Sequence, residues 1–91
     1  MQDDAERIQI TALDVRSDLY SLGVILHQLL TGRTLYQATN ISELMELHVN
    51  GPIPRLPEDV SGFQKLLNKL VAKNPDDRFQ SARELYAYIA Y

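Results

Sequence analysis

Two histidines, a set of regularly spaced lysines and one proline-rich segment are the residues of this 91-residue chain that could do chemistry. His27 and His48 could supply imidazole to a metal ion, but they lie on different predicted helices, so a shared site would be a coincidence of folding. We therefore interpret each as a packed or solvated histidine. The chain has no cysteine, which excludes disulfides, zinc thiolate sites and cysteine nucleophiles.

Lys65, Lys69 and Lys73 recur at every fourth residue and could bind a phosphate group. They lie opposite the apolar face of a predicted helix, where solvated lysines are expected, so we interpret them as a solvent-facing row. The segment Pro54-Arg55-Leu56-Pro57 matches the minimal proline motif that aromatic grooves bind. That motif is very common, and a rigid linker between helices explains it equally well, so we favour the linker.

The sequence predicts no complete active site. It contains no glycine-rich phosphate loop, no His-Glu-x-x-His pattern and no serine in a nucleophile-elbow setting. The net charge of −3 gives no basic excess that would attract nucleic acid or an acidic membrane surface. The longest apolar stretch, residues 19–30, is interrupted by polar residues and is shorter than the ~20 residues that span a bilayer. The acidic N-terminus has no apolar run behind it, so we expect no secretory signal and a cytoplasmic protein.

Apolar residues repeat at helical spacing in four segments, and no convincing strand is present, so the fold class is predicted to be all-α. With 45% apolar residues, the chain is long enough for one small core. The first helix is apolar nearly all round, which is typical of a helix in the middle of a structure, and Gly32 is expected to end it. The predicted elements are a loop at 1–16, helices at 17–31, 42–49, 61–73 and 81–90, and a proline-rich connector at 51–60.

Two capping boxes are predicted at helix starts, Ser61 with Gln64 and Ser81 with Glu84. In each, the serine oxygen and the side chain three residues later should satisfy free backbone amides. The last helix should then bury a face that includes Leu85, Tyr86 and Ile89.

Two segments resemble the large lobe of eukaryotic-like protein serine/threonine kinases, especially the bacterial ones. Residues 18–33, DLYSLGVILHQLLTGR, closely resemble the central buried helix of that lobe, helix F. Residues 70–82, LVAKNPDDRFQSA, are similar to the segment that joins its last two helices. Residues 44–49 and the proline connector fall where the family places helix G and the loop after it, so the resemblance covers nearly the whole chain and implies helices F, G, H and I.

The resemblance implies that Glu6 and Arg78 form a buried ion pair. The family's activation segment ends in Ala-Pro-Glu, and the usual spacing places that glutamate on Glu6, although Ala5 stands where the family has proline. The pair would tie the end of the activation segment to the start of the last helix. A loose surface pair contributing about 0 to 1 kcal/mol is the alternative.

Three residues of the first helix match structural positions of the family. Asp18 matches an aspartate that accepts hydrogen bonds from the catalytic loop and anchors the regulatory hydrophobic column. A carboxylate in the first turn of a helix is also favoured by the helix dipole whatever its function. Ile25 and Leu29 match positions at the base of the column that aligns the ATP site.

The resemblance implies a C-terminal helical subdomain that is not catalytic by itself. Kinase chemistry needs a glycine-rich loop with a strand lysine, a His-Arg-Asp loop and an Asp-Phe-Gly metal aspartate, and these 91 residues contain none of them. We therefore expect no cofactor in this chain, with ATP and magnesium only in a complete parent kinase. The runner-up is a degenerate kinase-like module that only binds another protein.

The expected partners are the rest of a kinase domain and a protein substrate or partner near helix G. The apolar surface of helix F is larger than the remaining helices can cover, so we also expect self-association through it.

Overall fold

The computed structural model describes the backbone of residues 4–90 and the side chains of residues 15–90. Within that range the chain forms four α-helices and no β-strand, which confirms the predicted all-α class. Short 3-10 helices occupy Glu58–Phe63 and Pro75–Asp77. The α-helices are α1 (Asp4–Thr31), α2 (Ile41–Asn50), α3 (Gln64–Leu70) and α4 (Ala82–Ala90).

Helix α1 begins earlier than the sequence indicated. The predicted loop is wrong from residue 4 onward, and so is the predicted start at residue 17, because the helix runs from Asp4 to Thr31. Residues 4–22 contain neither glycine nor proline and are rich in good helix formers, so nothing in the sequence stops the helix from extending. Its end is as predicted: Gly32 has φ +73 and donates its backbone N–H to the carbonyl of Gln28 at 2.7 Å.

Helix α2 lies within one residue of the prediction at each end. The Asn40 side chain accepts a hydrogen bond from the Glu43 backbone at 2.8 Å, and the Glu43 carboxylate accepts one from the Thr39 hydroxyl at 2.9 Å. The first of these bonds satisfies an amide that the first turn of a helix leaves free. The connector has no regular structure at 51–57, and the 3-10 helix then follows, so the connector is three residues shorter than the predicted 51–60.

The capping box predicted at Ser61 and Gln64 is wrong. The Ser61 hydroxyl donates to the Glu58 carbonyl at 2.9 Å, and α3 starts only at Gln64. The Gln64 side chain instead reaches the connector, where it accepts from the Leu56 amide at 2.6 Å and donates to the Pro54 carbonyl at 3.2 Å. It satisfies backbone groups of a proline-containing segment that belongs to no helix or sheet.

One of the two hydrogen bonds of the capping box predicted at the start of α4 is present. The Ser81 hydroxyl oxygen accepts from the Glu84 backbone N–H at 3.1 Å, as expected. The Glu84 carboxylate accepts from the Gln80 backbone N–H at 3.2 Å rather than from Ser81. Leu85 is half-buried, but Tyr86 and Ile89 are exposed, so the predicted buried face of α4 is wrong for those two residues.

The core lies where α1 crosses α3. A Cβ atom on Gly23 would lie 2.5 Å from Val71 Cγ1 and 2.8 Å from Leu70 Cβ, so the two segments approach as closely as a glycine allows. The remaining core comes from the loop after α1, the connector and the segment before α4. Its buried apolar residues are Leu19, Leu35, Tyr36, Leu56, Leu67, Leu70, Val71 and Phe79.

The molecule is a slab with principal extents of 46 × 39 × 19 Å. Its radius of gyration of 14.7 Å exceeds the roughly 12 Å expected of a compact domain of this length. The thinnest extent is about two helix diameters, so most elements are covered on one side only. No helix in the described range is both long enough and apolar enough to cross a membrane.

Candidate functional site

One face of α1 carries a line of exposed residues, Asp18, Leu22, Ile25 and Leu29, which we call the α1 stripe. At 100° per residue these four positions lie within about 60° of one another around the helix axis. Leu22 is 43% exposed, Ile25 53% and Leu29 79%, and the side chain of Asp18 is also exposed. Three of the five predicted site residues are therefore brought onto one surface. Leu22 was missed, although its helical spacing to the other three residues is a sufficient signal.

The opposite face of α1 is already packed. Leu19, Gly23 and His27 are buried there, four residues apart along the helix. His27 lies with its Nδ1 atom 3.1 Å from the carbonyl oxygen of Arg33, which confirms the interpretation of a packed histidine. A helix with one packed face and a second apolar face in solvent has a surface available for another protein segment.

Arg78, the fourth predicted site residue, is held by backbone carbonyls. Its Nε donates to the Ala72 carbonyl at 2.7 Å and its Nη2 to the Lys73 carbonyl at 3.3 Å. Its guanidinium carbon lies 4.8 Å from the centroid of the Tyr20 ring. The side chain of Glu6 lies outside the described residues, so the Glu6 and Arg78 ion pair stays a prediction.

Arg78 belongs to a group of polar side chains between α1 and α2, which we call the polar cluster: Tyr20, Tyr36, His48, Lys73 and Arg78. The Tyr20 hydroxyl lies 2.6 Å from His48 Nδ1, and the His48 ring packs edge-on against both tyrosine rings. Lys73 Nζ donates to the Tyr36 hydroxyl at 2.6 Å and to the carbonyls of Leu47 and His48 at 3.0 and 2.9 Å. The lysine thus caps the C-terminal end of α2.

The interpretation of the three lysines as a solvent-facing row is wrong for Lys73. Helix α3 ends at Leu70, so Lys73 does not continue the exposed face that Lys65 occupies. Lys69 is half-exposed, 3.9 Å from the Glu84 carboxylate and 5.1 Å from the Phe79 ring centroid. No local pattern identified the polar cluster, because its members come from separate segments of the chain.

Burial shifts the titration of the polar cluster. It raises the pKa of Tyr20 and of Tyr36, and it lowers the pKa of Lys73. The pKa of His48 is lowered by burial first and by the neighbouring Lys73 ammonium second. The pKa of Arg78 is lowered by burial, with Tyr20 acting in the opposite sense.

We expect His48 to make the stability of the chain depend on pH. Its pKa is lower when the chain is folded than the ~6.5 of an unfolded histidine, so between these two values the folded chain binds fewer protons. The free energy of unfolding should therefore have its full value above about pH 7. It should fall as the pH is lowered from the pKa of an unfolded histidine to that of His48 in the folded chain. Protonation places a cation against Tyr20, Tyr36 and Lys73, with Arg78 over the Tyr20 ring.

Urea unfolding at about pH 7.5 and pH 5.5 measures this dependence. The control is His48→Asn, whose side-chain amide keeps a hydrogen-bonding group near the Nδ1 position but does not titrate. An equal loss of stability in both proteins would contradict the assignment to His48.

Among the residues that the structure describes, no group of three or more histidine, aspartate or glutamate side chains is arranged to hold a metal ion. The hydroxyl, imidazole and ammonium groups of the polar cluster bond to one another or to backbone carbonyls.

Comparison with known proteins gives matches to kinases along most of the chain. Over 84 residues, 88% of the chain, it is 36% identical to serine/threonine-protein kinase PknH of Mycobacterium tuberculosis, and the match covers 13% of that protein. It is 36% identical over 86 residues, 90% of the chain, to serine/threonine-protein kinase PknB of Mycolicibacterium smegmatis, 14% of which is covered. It is 44% identical over 78 residues, 80% of the chain, to hybrid signal transduction histidine kinase G of Dictyostelium discoideum, 2% of which is covered.

The chain therefore spans a small part of each of these relatives. No family model matches it.

Proposed function

Because this chain is homologous to a part of serine/threonine protein kinases, we propose that it is the non-catalytic helical scaffold of such a kinase domain. In this proposal the α1 stripe seats the rest of the domain. Asp18 anchors the catalytic loop, and Ile25 and Leu29 support the apolar column below the ATP site. The proposed location is the cytoplasm.

The observation that carries the proposal is the α1 stripe itself. Three large apolar side chains lie exposed along a helix whose other face is packed against α3. Exposed apolar residues in a contiguous line are typical of an interface. Asp18, Ile25 and Leu29 of the stripe stand at positions that the kinase resemblance assigns to contacts with the rest of the domain.

We also propose that α2 supplies a docking surface for a protein substrate or partner. Ile41, Met45 and Val49 lie along one side of α2, and they are 75%, 63% and 62% exposed. Their spacing places an apolar line on the helix, the geometry by which one protein surface receives another.

A degenerate kinase-like interaction module is the second candidate function. The observation that favours it is Ala5, which stands where the kinase resemblance expects proline. The two functions are distinguished by the full reading frame: an upstream His-Arg-Asp and Asp-Phe-Gly would support a catalytic parent, and their absence would support the module.

The isolated chain should neither bind ATP nor transfer phosphate. It offers the nucleotide no glycine-rich loop, and its described residues offer no carboxylate cluster for magnesium, so we assign no catalytic step to it. Titration calorimetry with magnesium and ATP is the measurement. Stoichiometric binding of micromolar affinity or tighter, about −8 kcal/mol or stronger, would contradict the scaffold proposal.

The chain should self-associate through the α1 stripe when no other segment covers it. Ile25→Glu places a charge that would be costly to bury in such an interface, so it should weaken association by about tenfold or more. Sedimentation equilibrium at high micromolar concentration measures the effect. The matched control is Ile89→Glu on α4, an isoleucine of similar exposure, 63% against 53%, on another surface.

A compact monomer that binds no hydrophobic dye would contradict self-association. Equal weakening by Ile25→Glu and Ile89→Glu would show that the interface is not the α1 stripe.

A further inference from the structure

A cavity of about 830 Å³ lies between the loop that follows α1 and the proline connector. His27, Thr31 and Arg33 line one side, and Pro54, Arg55 and Pro57 line the other. Its volume is in the range of sites that hold a small ligand or a short length of peptide. None of the residues of the α1 stripe lines it.

The formally charged residues that line this cavity are all positive. Arg33 and Arg55 are its only lining residues with a formal charge, they come from two separate segments, and both are exposed. Neither forms an ion pair with any side chain that the structure describes. A pair of arginines in a chain of net charge −3 is a local positive site on an acidic protein.

The walls of the cavity are held in place. The Tyr36 hydroxyl donates to the Gly51 carbonyl at 3.1 Å, and the Gln64 side chain bonds to Leu56 and Pro54 at 2.6 and 3.2 Å. Arg33 contributes to its own loop through its backbone, whose N–H donates to the Thr31 hydroxyl at 3.1 Å. Both guanidinium groups are therefore carried by a fixed backbone, so less conformational entropy is lost when a ligand binds.

The proline wall limits how a ligand can bind. Pro52, Pro54 and Pro57 line the cavity and have no backbone N–H, so a peptide cannot add there as a fully paired strand. Recognition must come from side chains. Guanidinium groups bind carboxylates through two parallel hydrogen bonds, and rigid proline rings offer an apolar surface beside them.

We propose that this cavity binds an extended acidic peptide segment of a partner protein. Its carboxylates pair with Arg33 and Arg55, and an apolar side chain between them packs on the prolines. This site goes beyond the scaffold function and does not depend on it, since the two surfaces share no residue.

The test is fluorescence anisotropy of the full chain with a fluorescein-labelled Glu-Leu-Glu-Leu-Glu peptide. Saturable binding that weakens with added salt is expected. Arg33→Gln and Arg55→Gln should each weaken it by about three- to fivefold, and the double variant by about tenfold or more. Arg83→Gln removes an exposed arginine on α4 outside the cavity and should leave binding unchanged.

Each control outcome bears on the proposal. Equal binding of a Gln-Leu-Gln-Leu-Gln peptide, or equal loss in Arg83→Gln, would overturn the assignment to the two arginines. Displacement of the labelled peptide by millimolar free glutamate would overturn a peptide site in favour of a small-anion site. Thermal unfolding of each variant shows whether the fold is retained, and a variant with reduced binding but an unchanged midpoint supports the proposal.

Discussion

Gly23→Val should strongly destabilise the chain. A side chain at this position meets Val71 Cγ1 at 2.5 Å and Leu70 Cβ at 2.8 Å, and the second of these atoms is fixed by its backbone. Overpacking of this kind costs typically 1 to 3 kcal/mol and more for a branched side chain, so we expect about 3 kcal/mol or more. Gly23→Ala should cost less, about 1 to 2 kcal/mol, because alanine regains helix propensity. Thermal unfolding measures both losses, at roughly 4 to 8 °C per kcal/mol.

The matched control is Gly62→Ala in the 3-10 helix. No atom lies within 4 Å of a Cβ at Gly62, and its φ is not positive. This substitution should therefore be neutral or stabilise the chain by up to about 1 kcal/mol, mainly by restricting the unfolded state. An equal effect of alanine at positions 23 and 62 would show that α1 and α3 do not pack in the way described.

Lys73→Met should cost about 2 to 3 kcal/mol. The substitution retains a long apolar stem but removes three hydrogen bonds from an ammonium group, two of which hold carbonyls at the end of α2. Hydrogen bonds of charged groups are worth about 1.5 to 3 kcal/mol, and buried acceptors left without a donor add a penalty. Burial disfavours the ammonium charge and lowers the pKa of Lys73, so removal of that charge offsets part of this loss. Urea unfolding at neutral pH measures the difference.

Lys65→Met is the control for that experiment, because Lys65 is exposed on α3. A change within about 0.5 kcal/mol is expected there. If the two methionine variants were equally stable, Lys73 would contribute no more than a lysine in solvent, and the polar cluster would not hold α2 against the rest of the chain.

Local patterns predicted the helices well where a short-range signal decides the structure. Gly32 ends α1 because a glycine adopts the left-handed conformation at little cost. Ser81 starts α4 because its hydroxyl reaches an amide three residues away. The same reasoning failed at Ser61 and Gln64, where the glutamine side chain found better partners in the connector than in its own helix.

The candidate site likewise contains residues that could be predicted from the sequence and residues that could not. Asp18, Ile25 and Leu29 were predicted from the kinase resemblance, and helical spacing accounts for their place on one face with Leu22. The role of Lys73 could not, because its acceptors are 25 to 37 residues away in the sequence. Tyr20 and His48 are 28 residues apart in the sequence and likewise become neighbours only through tertiary packing.

Because the molecule is a slab, its helices differ in how strongly their unfolding is coupled to that of the core. Helix α4 has one half-buried side chain, Leu85, and an edge contact from Tyr88 to the ring of Phe79 at 5.4 Å, while its other described residues face solvent. Its local unfolding therefore exposes little apolar surface, whereas separating α1 from α3 exposes the whole core. Local openings that release α4 alone will be far more frequent than global unfolding, and each removes the contact of Tyr88 with the Phe79 ring. Any segment of a larger domain that covers α4 would suppress those openings, so the lifetime of the closed state at this end depends on the neighbours of the helix more than on its own sequence.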